Sequence, residues 1–298
     1  ALGSSMAESL VRGGVGHLLL VDRDFIEISN LQRQTLYTEG DIGKPKAEVA
    51  VQRLKKINSE ISLTAQVVHV DSHNIEKLIK GNDIVLDATD NMRTRYIIND
   101  ACVKRDIPWI YSAVIRTYGM TMNIFPKEGP CLRCLWQEKP EPGSVETCAS
   151  AGILFTLPKI IANIAATETV KYLIGASPRK ELLILDAWKN NYDLVEVSRR
   201  LDCECCVHRT FPFLEIKRDL TTTLCGRDAV QVSPGEDLEI DLNHVAAQYD
   251  QAKQVGDTMV RIELERYQLS LFKDGRLIVS GTEDQNKALS LYSEYVGR

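Results

Sequence analysis

Apolar positions along the chain fall into short blocks whose period changes. Leu18–Val21 is a four-residue apolar run that stops at Asp22, the pattern of a buried strand. Ahead of it, Gly3-Ser4-Ser5 followed by MAESLVRGGVG reads as a helix ending at Gly13-Gly14. From Pro45 to Ile57 the residues Ala47, Ala50, Val51, Leu54 and Ile57 lie along one helical face, with Pro45 in the first turn. Ile61–Val70 alternates as a strand, Ile75–Ile79 is a short helix, and Asp83–Ala88 is a short apolar strand ending in ATDN. Arg93–Arg105 is helical again, and Pro108–Val114 and Tyr118–Phe125 are strands.

This rhythm predicts an α/β fold, a Rossmann-like, largely parallel sheet with helices on both faces. A helix that leads into a strand is the second half of a βαβ unit. The N-terminal strand and GxG turn of that unit are therefore expected upstream of Ala1. After Phe125 the character changes: Lys127–Ser144 reads as loop, Phe155–Ile174 as a helix, and Leu182–Asp186 and Asp193–Val197 as strands. From about Phe213 the pattern restarts. Ala229–Val232, Met259–Leu264, Gln268–Phe272 and Leu277–Ser280 read as strands, Leu242–Gln254 and Asp284–Tyr295 as helices, and Lys273–Arg276 as a hairpin turn. The expected organisation is a nucleotide-binding domain over 1–212 and a small α+β domain over 213–298.

Composition narrows the field. The 298 residues are 44% hydrophobic and 26% charged with net charge −5, ordinary for a globular protein and against nucleic acid or anionic membrane as the main partner. Ile153–Ala176 carries Lys159, Asn163, Glu168 and Lys171, too polar for a bilayer span. Ala1–Ser4 leads directly into a helical pattern, without a signal-peptide pattern. Eight cysteines with CxxC spacing fit metal better than disulfides, and so a reducing, cytoplasmic setting.

Asp22 follows Gly3 by nineteen residues at the carboxyl end of a strand, where an acid reaches the ribose hydroxyls of a nucleotide. Asp24, close by, reads as a solvated turn acid. Arg33 offers a forked set of donors for phosphate oxygens, and Asn30 and Gln34 add neutral polar reach. Lys46 stands at a helix amino terminus, which favours anions; Lys44 competes for the same role, and spacing does not separate them. Asp90 ends an apolar strand on the same sheet edge as Asp22, where a carboxylate holds magnesium beside a triphosphate. Asp87, inside the strand, faces packing or backbone, and Asn91 and Arg93 are candidate caps of the next helix.

Cys131, Cys134, Cys203 and Cys206 form two CxxC pairs with 68 residues between them, a closed tetrahedral set for structural zinc. Cys205 is left over, and Cys102 and Cys225 read as buried thiols. Cys148 precedes small residues and a long helix, a position that favours a nucleophilic thiolate. The five histidines all have ordinary structural readings.

ALGS, LVDRDFIEISNLQRQ, GKPK, DATDN, the paired CxxC motifs and the TC before the helix together resemble the MoeB/ThiF/HesA family, over roughly Ala1 to Cys206. The resemblance implies adenylation, with magnesium ATP, of the C-terminal glycine of a small β-grasp sulfur-carrier protein ending in Gly-Gly, for molybdopterin or thiamine synthesis. In that pattern Asp22 holds the ribose, Asn30, Arg33 and Lys46 contact the phosphates, and Asp90 works through magnesium. Ala1 and Gly3 stand in the glycine-rich turn, Ala1 where glycine is common. Cys148 matches a cysteine that links covalently to the carrier in some members. The resemblance also implies a homodimer, in which an arginine from an arm upstream of Ala1 reaches the partner's ATP. No rhodanese segment is present, so a separate sulfur donor is expected. Two other readings stand beside this one. A nicotinamide-dependent oxidoreductase would use Asp22 but leave Arg33, Lys46, Asp90 and the zinc cysteines idle. A non-catalytic β-grasp-binding module would have no use for the charged set.

Overall fold

In the computed structural model, which describes residues 1–137, 151–216, 220–224, 228–235 and 238–296, the period-switching blocks become alternating helices and strands. Helix α1 (Leu2–Arg12) buries Leu2, Met6, Leu10 and Val11, one stripe at helical spacing. It delivers the chain through Gly14, at φ +82°, to β1 (His17–Val21). Helices α2 (Ile28–Leu31) and α3 (Lys46–Lys55) follow before β2 (Ser62–Gln66), which pairs with β1 in parallel.

Helix α4 (Ile75–Ile79) leads to a second sheet, ordered β3-β4-β5-β6-β7. Its strands are β3 (Val85–Leu86), β4 (Trp109–Ile115), β5 (Tyr118–Ile124), β6 (Leu182–Asp186) and β7 (Asn191–Val195). Parallel pairing occurs where a helix intervenes: β3 and β4 are parallel, with α5 (Met92–Arg105) crossing between them. From β4 onward the sheet is antiparallel. Only Arg116 and Thr117 join β4 to β5, enough for a hairpin but not for the crossover of about a dozen residues that a parallel pair needs. A one-turn helix, α6 (Leu132–Leu135), forms at the first CxxC, inside a segment the sequence pattern assigns to loop. Helix α7 (Leu157–Leu173) then lies across α1 and the sheet, with Leu157, Ile161 and Ala165 packed on Leu2, Met6, Ile110 and Leu185.

The C-terminal strands form one antiparallel sheet in the order β10-β11-β12-β13-β9-β8. They are β8 (Thr221–Leu224), β9 (Ala229–Val232), β10 (Ala252–Val255), β11 (Met259–Glu263), β12 (Gln268–Phe272) and β13 (Leu277–Ser280). Side chains alternate between its faces. Val230, Val260, Leu269 and Val279 pack under helices α8 (Leu242–Gln248) and α9 (Gln285–Tyr295). Ala229, Met259, Phe272 and Ile278 instead meet Phe25, Ala47 and Val67 of the β1–β2 unit.

Several expected bounds move. The helix expected over Leu242–Gln254 ends at Gln248, because Ala252–Val255 pairs with β11 across the tight turn at Gly256, Asp257 and Thr258. Strand β8 was not expected. The strand expected over Asp193–Val197 starts at Asn191, where the hairpin register pairs Asp186 with Asn191. The strands expected over Ile61–Val70 and Asp83–Ala88 shorten to Ser62–Gln66 and Val85–Leu86.

Gly119 in β5 marks the tightest helix-to-sheet approach: a Cβ there would stand 2.4 Å from Ile161 of α7. Gly119→Ala should therefore overpack this core and cost roughly 1–3 kcal/mol, read as a lower urea midpoint at unchanged slope.

Candidate active site and metal centre

The carboxyl ends of β1 and β3 face a common cavity of about 1240 Å³. Ala1, Gly3, Asp22, Asn30, Arg33, Gln34, Lys46 and Asp90, all singled out by the sequence, line it together. Lys44 does not line it. Its ammonium turns outward to the Gly40 carbonyl at 2.8 Å, which separates the two lysines that spacing left open. Gly3 is where α1 passes the ATDN turn: a Cβ there would sit 3.1 Å from the Ala88 Cβ.

Two loops carry the charged groups and are sewn to each other. The Ile26 N–H donates to the Lys44 carbonyl, the Gly43 N–H to the Ile26 carbonyl, and the Lys46 N–H to the Asp24 carbonyl, at 2.9, 2.7 and 2.9 Å. The Asp22 N–H continues the ladder to the Gln66 carbonyl at 3.1 Å. Asp22 Oδ1 accepts the Asp24 N–H at 2.9 Å, closing a turn at the cavity lining. Burial pushes the Asp22 carboxyl above its ordinary range, against the pull of Lys46. Asp24 is not the solvated turn acid expected: it is half-buried and pairs with the Lys46 ammonium at 3.3 Å. The Lys46 side chain is only 7% exposed, and this contact positions its ammonium at the cavity wall. Asn30, also buried, uses its Oδ1 to cap the turn at the Glu27 N–H, 3.2 Å away. Arg33 is anchored through Nη1 to the Ser29 carbonyl at 2.9 Å.

The ATDN turn divides its acids between two tasks. Asp87 is fully buried and accepts from the Thr89 N–H at 2.8 Å, the Thr89 hydroxyl at 2.7 Å and Arg95 Nε at 3.1 Å. Asp90 is exposed at the cavity, and among the described residues none hydrogen-bonds or ion-pairs with its carboxylate. Asn91 caps α5, accepting the Thr94 N–H at 2.9 Å, while Arg93 lines the cavity.

Sequence reasoning missed Arg95, Arg23 and His69. His69 lines the cavity just beyond β2. Its Nδ1 is 3.0 Å from Arg23 Nη1. Burial, with Arg23, Arg276 and Arg93 around it, drives the imidazole down to about 3, so it is neutral at any physiological pH. The available signal was position: a histidine three residues past the end of a strand that pairs in parallel with β1.

Away from the cavity, Cys131, Cys134, Cys203 and Cys206 bring their sulfurs within 4.8 Å of one another, all buried. The Cys131–Cys203 and Cys134–Cys206 separations are 3.7 and 3.5 Å, too long for disulfides. They agree with the roughly 3.8 Å that tetrahedral ligands at about 2.3 Å from a zinc-sized ion would show. Cys205 lies outside this set and takes the Asn99 amide at 3.2 Å, so two CxxC knuckles describe the centre. Cys102 is a buried thiol, as expected. Cys148 and Cys225 lie outside the described residues. Among those residues no helix is long and apolar enough to cross a membrane.

Comparison with known proteins adds a second line. A model described as the ThiF family matches residues 1–207. The chain is 39% identical to the sulfur carrier protein ThiS adenylyltransferase of Bacillus subtilis, over 100% of this chain and 90% of that protein. It is 39% identical to the SAMP-activating enzyme E1 of Haloferax volcanii, over 69% of this chain and 76% of that one. Among solved structures, E. coli MccB with MccA-N7isoASN superposes with a TM-score of 0.62 at 22% identity, over 69% of this chain. This chain spans 64% of that MccB chain, and the likeness is one of fold.

The loop that leads to Lys46 is itself held by a carboxylate. Burial opposes ionisation of Asp41, but the Thr38 N–H and hydroxyl, each at 2.9 Å, and the Arg53 guanidinium outweigh it and hold the carboxyl below its ordinary 3.8. A depressed folded-state value gives stability that is present above 3.8 and lost as pH falls through the folded value. Asp41→Asn should accordingly destabilise the protein at neutral pH, and the gap from wild type in chemical denaturation should close as pH drops below that value.

Proposed function

The chain belongs to the ThiF family, and on that footing we propose that it is an ATP-dependent adenylyltransferase acting on the C-terminal glycine carboxylate of a small β-grasp sulfur-carrier protein. The observation that carries this reading is Asp90, a carboxylate without a hydrogen-bond or ion-pair partner among the described residues, which shares one cavity with Asp22, Arg33 and Lys46. An acid left open beside two cations suits a metal-bound polyphosphate. A nicotinamide enzyme would have work for Asp22 alone.

In the proposed reaction a carboxylate oxygen of the carrier's last glycine attacks the α-phosphorus of ATP. The bond from that phosphorus to the bridging oxygen breaks, pyrophosphate leaves with the electron pair, and an acyl-adenylate remains. The attacking group is already ionised, so no general base is required. The obstacle is repulsion between a carboxylate and a triphosphate. Lys46 and Arg33 offset it from fixed positions and stabilise the charge that passes to pyrophosphate. Asn30 and Gln34 add neutral contacts, Ala1 and Gly3 let the backbone approach the phosphates, and Asp22 orients the ribose. Asp90 would hold magnesium, which when bound screens the phosphate charge. Two donors of unlike kind fit that role: a hard carboxylate at the cavity, and soft thiolates kept apart in the four-cysteine centre, which suits structural zinc.

We assign adenylation to residues 1–212 and a supporting role to 213–298. A homodimer, a separate sulfur donor and a cytoplasmic setting complete the proposal, in molybdopterin or thiamine synthesis. Cys148 is a candidate for a covalent link to the carrier.

Exchange of radiolabelled pyrophosphate into ATP, dependent on a carrier ending in Gly-Gly, tests the reaction. Asp90→Ala should lower exchange at least about a hundredfold while the metal content of the protein stays at the wild-type level. Retained exchange would remove Asp90 from the mechanism, and carrier binding without any wild-type exchange would leave only a docking module. Separately, Cys131→Ser should lose the bound zinc, measured by atomic absorption, and lower the thermal midpoint. Undiminished zinc would exclude Cys131 as a ligand.

A further inference from the structure

The C-terminal sheet meets the β1–β2 unit through an apolar face, yet one buried and one half-buried arginine stand in that contact. Arg276, in the turn between β12 and β13, is 3% exposed. Its Nη2 donates to the Val67 carbonyl at 3.1 Å, its Nε to Asp274 at 2.6 Å, and it lies 4.4 Å from the centre of the Phe272 ring. Arg261, on β11, donates through Nη2 to the Gly43 carbonyl at 3.2 Å and lies 5.6 Å from the centre of the Phe25 ring. Gly43 has φ +84°, and a Cβ there would come within 2.8 Å of Arg261 Nη1, so the loop and the guanidinium are in direct contact. A third polar group, the fully buried Gln231 of β9, presents its Oε1 to Arg23 Nη1 at 3.5 Å.

Burying guanidinium groups in an apolar contact is costly, and a methionine or leucine would fill the space at lower cost. The cost is visible here: Arg276 Nη1 and Arg261 Nε are buried with no hydrogen-bond partner among the described residues. Each arginine nonetheless gives one donor to a backbone carbonyl beside the cavity, Arg261 to Gly43 in the loop that leads to Lys46 and Arg276 to Val67 just past β2. Val67 follows Gln66, whose carbonyl accepts the Asp22 N–H, and it precedes His69 by two residues. Gly43 belongs to the ladder that fixes Ile26, Lys44 and, three residues on, Lys46. The contact therefore reaches the Gly43 loop and the end of β2 at the backbone, where a side chain can set position without occupying the cavity.

We propose that the C-terminal sheet is a clamp on the nucleotide loops, with Arg261 and Arg276 as positioning residues that set Lys46 and Asp22 for ATP from outside the cavity. This rests on the reading of the cavity as an ATP site. It gives residues beyond 207, where the ThiF match ends, a task in the adenylation step. The clamp acts on the nucleotide and leaves the carrier's own contacts alone.

The test uses the whole protein and measures three things for each variant: calorimetric affinity for a non-hydrolysable ATP analogue, KM for ATP and for the carrier in pyrophosphate exchange, and the thermal midpoint. Arg261→Met should weaken the analogue and raise KM for ATP roughly tenfold, the scale of one hydrogen bond to a charged group, with KM for the carrier within about twofold of wild type. Arg261→Lys, which restores a cation near the Gly43 carbonyl, should recover most of that loss. Arg276→Met is the second variant, judged on its folded fraction. Analogue affinity equal to wild type in a folded Arg261→Met protein would overturn the clamp, as would parallel losses for ATP and carrier that track the thermal midpoint. Wild-type protein that fails to bind the analogue at all would instead overturn the ATP reading beneath it.

Discussion

The buried pair of Asp87 and Arg95 is the constraint from which the cavity follows. Asp87 has no exposed surface, and a carboxylate so placed needs its lone pairs filled and its charge met. Thr89 and Arg95 do this, and Arg95 then spends Nη2 on the carbonyls of Thr89 and Ser112 at 2.6 and 3.2 Å. The turn after β3 is thereby tied to α5 and β4 at once. With its path fixed, the turn carries Asp90 past the end of the strand and leaves it facing the cavity. Removing one partner of such a pair costs about 3–5 kcal/mol, since the other remains buried and unmet. The free acid of the turn exists because the first acid is fully committed.

The Lys46 and Asp24 side of the cavity repeats the division with the signs exchanged. Lys46 is nearly as buried as Asp87, and its ammonium is kept at the wall by Asp24, so here a cation is the group that faces the cavity. Each wall holds one internal partner and one presented charge, and a substrate bearing both phosphate and metal would meet both. The proposed chemistry needs little else, because the carboxylate that attacks brings its own negative charge and no proton has to be removed.

What the sequence made legible was what is local. Asp22 at a strand end, the helix start at Lys46, and the two CxxC pairs each announce themselves within a few residues, and the structure brings them where the pattern implied. The α/β alternation was legible for the same reason, since strand and helix differ in the period of neighbouring residues. Partners distant in sequence were not. Nothing local distinguishes Lys44 from Lys46, and only the folded loop turns one outward and the other to Asp24. Arg95 stands eight residues after Asp87, in a helix whose pattern shows no sign of the pair. The C-terminal strands read as a small unit of their own because both faces are apolar. Alternation was there in principle, but Leu277-Ile278-Val279 is apolar at every position, since one face meets α8 and α9 and the other meets Phe25 and Val67. A strand buried on both sides carries no mark of what covers it.

That second covered face bears on how a site of this kind stays in place. Asp22, Lys46 and Arg33 stand at strand ends, a helix start and a short turn, and sites built on loops are less exactly held than sites within regular elements. Opposed charges also make these loops expensive to misplace, because Lys46 without Asp24 is a buried cation without a partner. The ladder between the two loops fixes each relative to the other, and contacts outside the pair oppose its shift as one body against β3 and Asp90. Ile26, Tyr37 and Val49 pack with Ala7 and Val11 of α1. The C-terminal sheet adds further contacts from β11 and from the β12–β13 turn, on elements paired in a ladder and packed on the α8–α9 core. A sheet with no described residue in the cavity lining can thus still bear on how the charged groups of that lining are held.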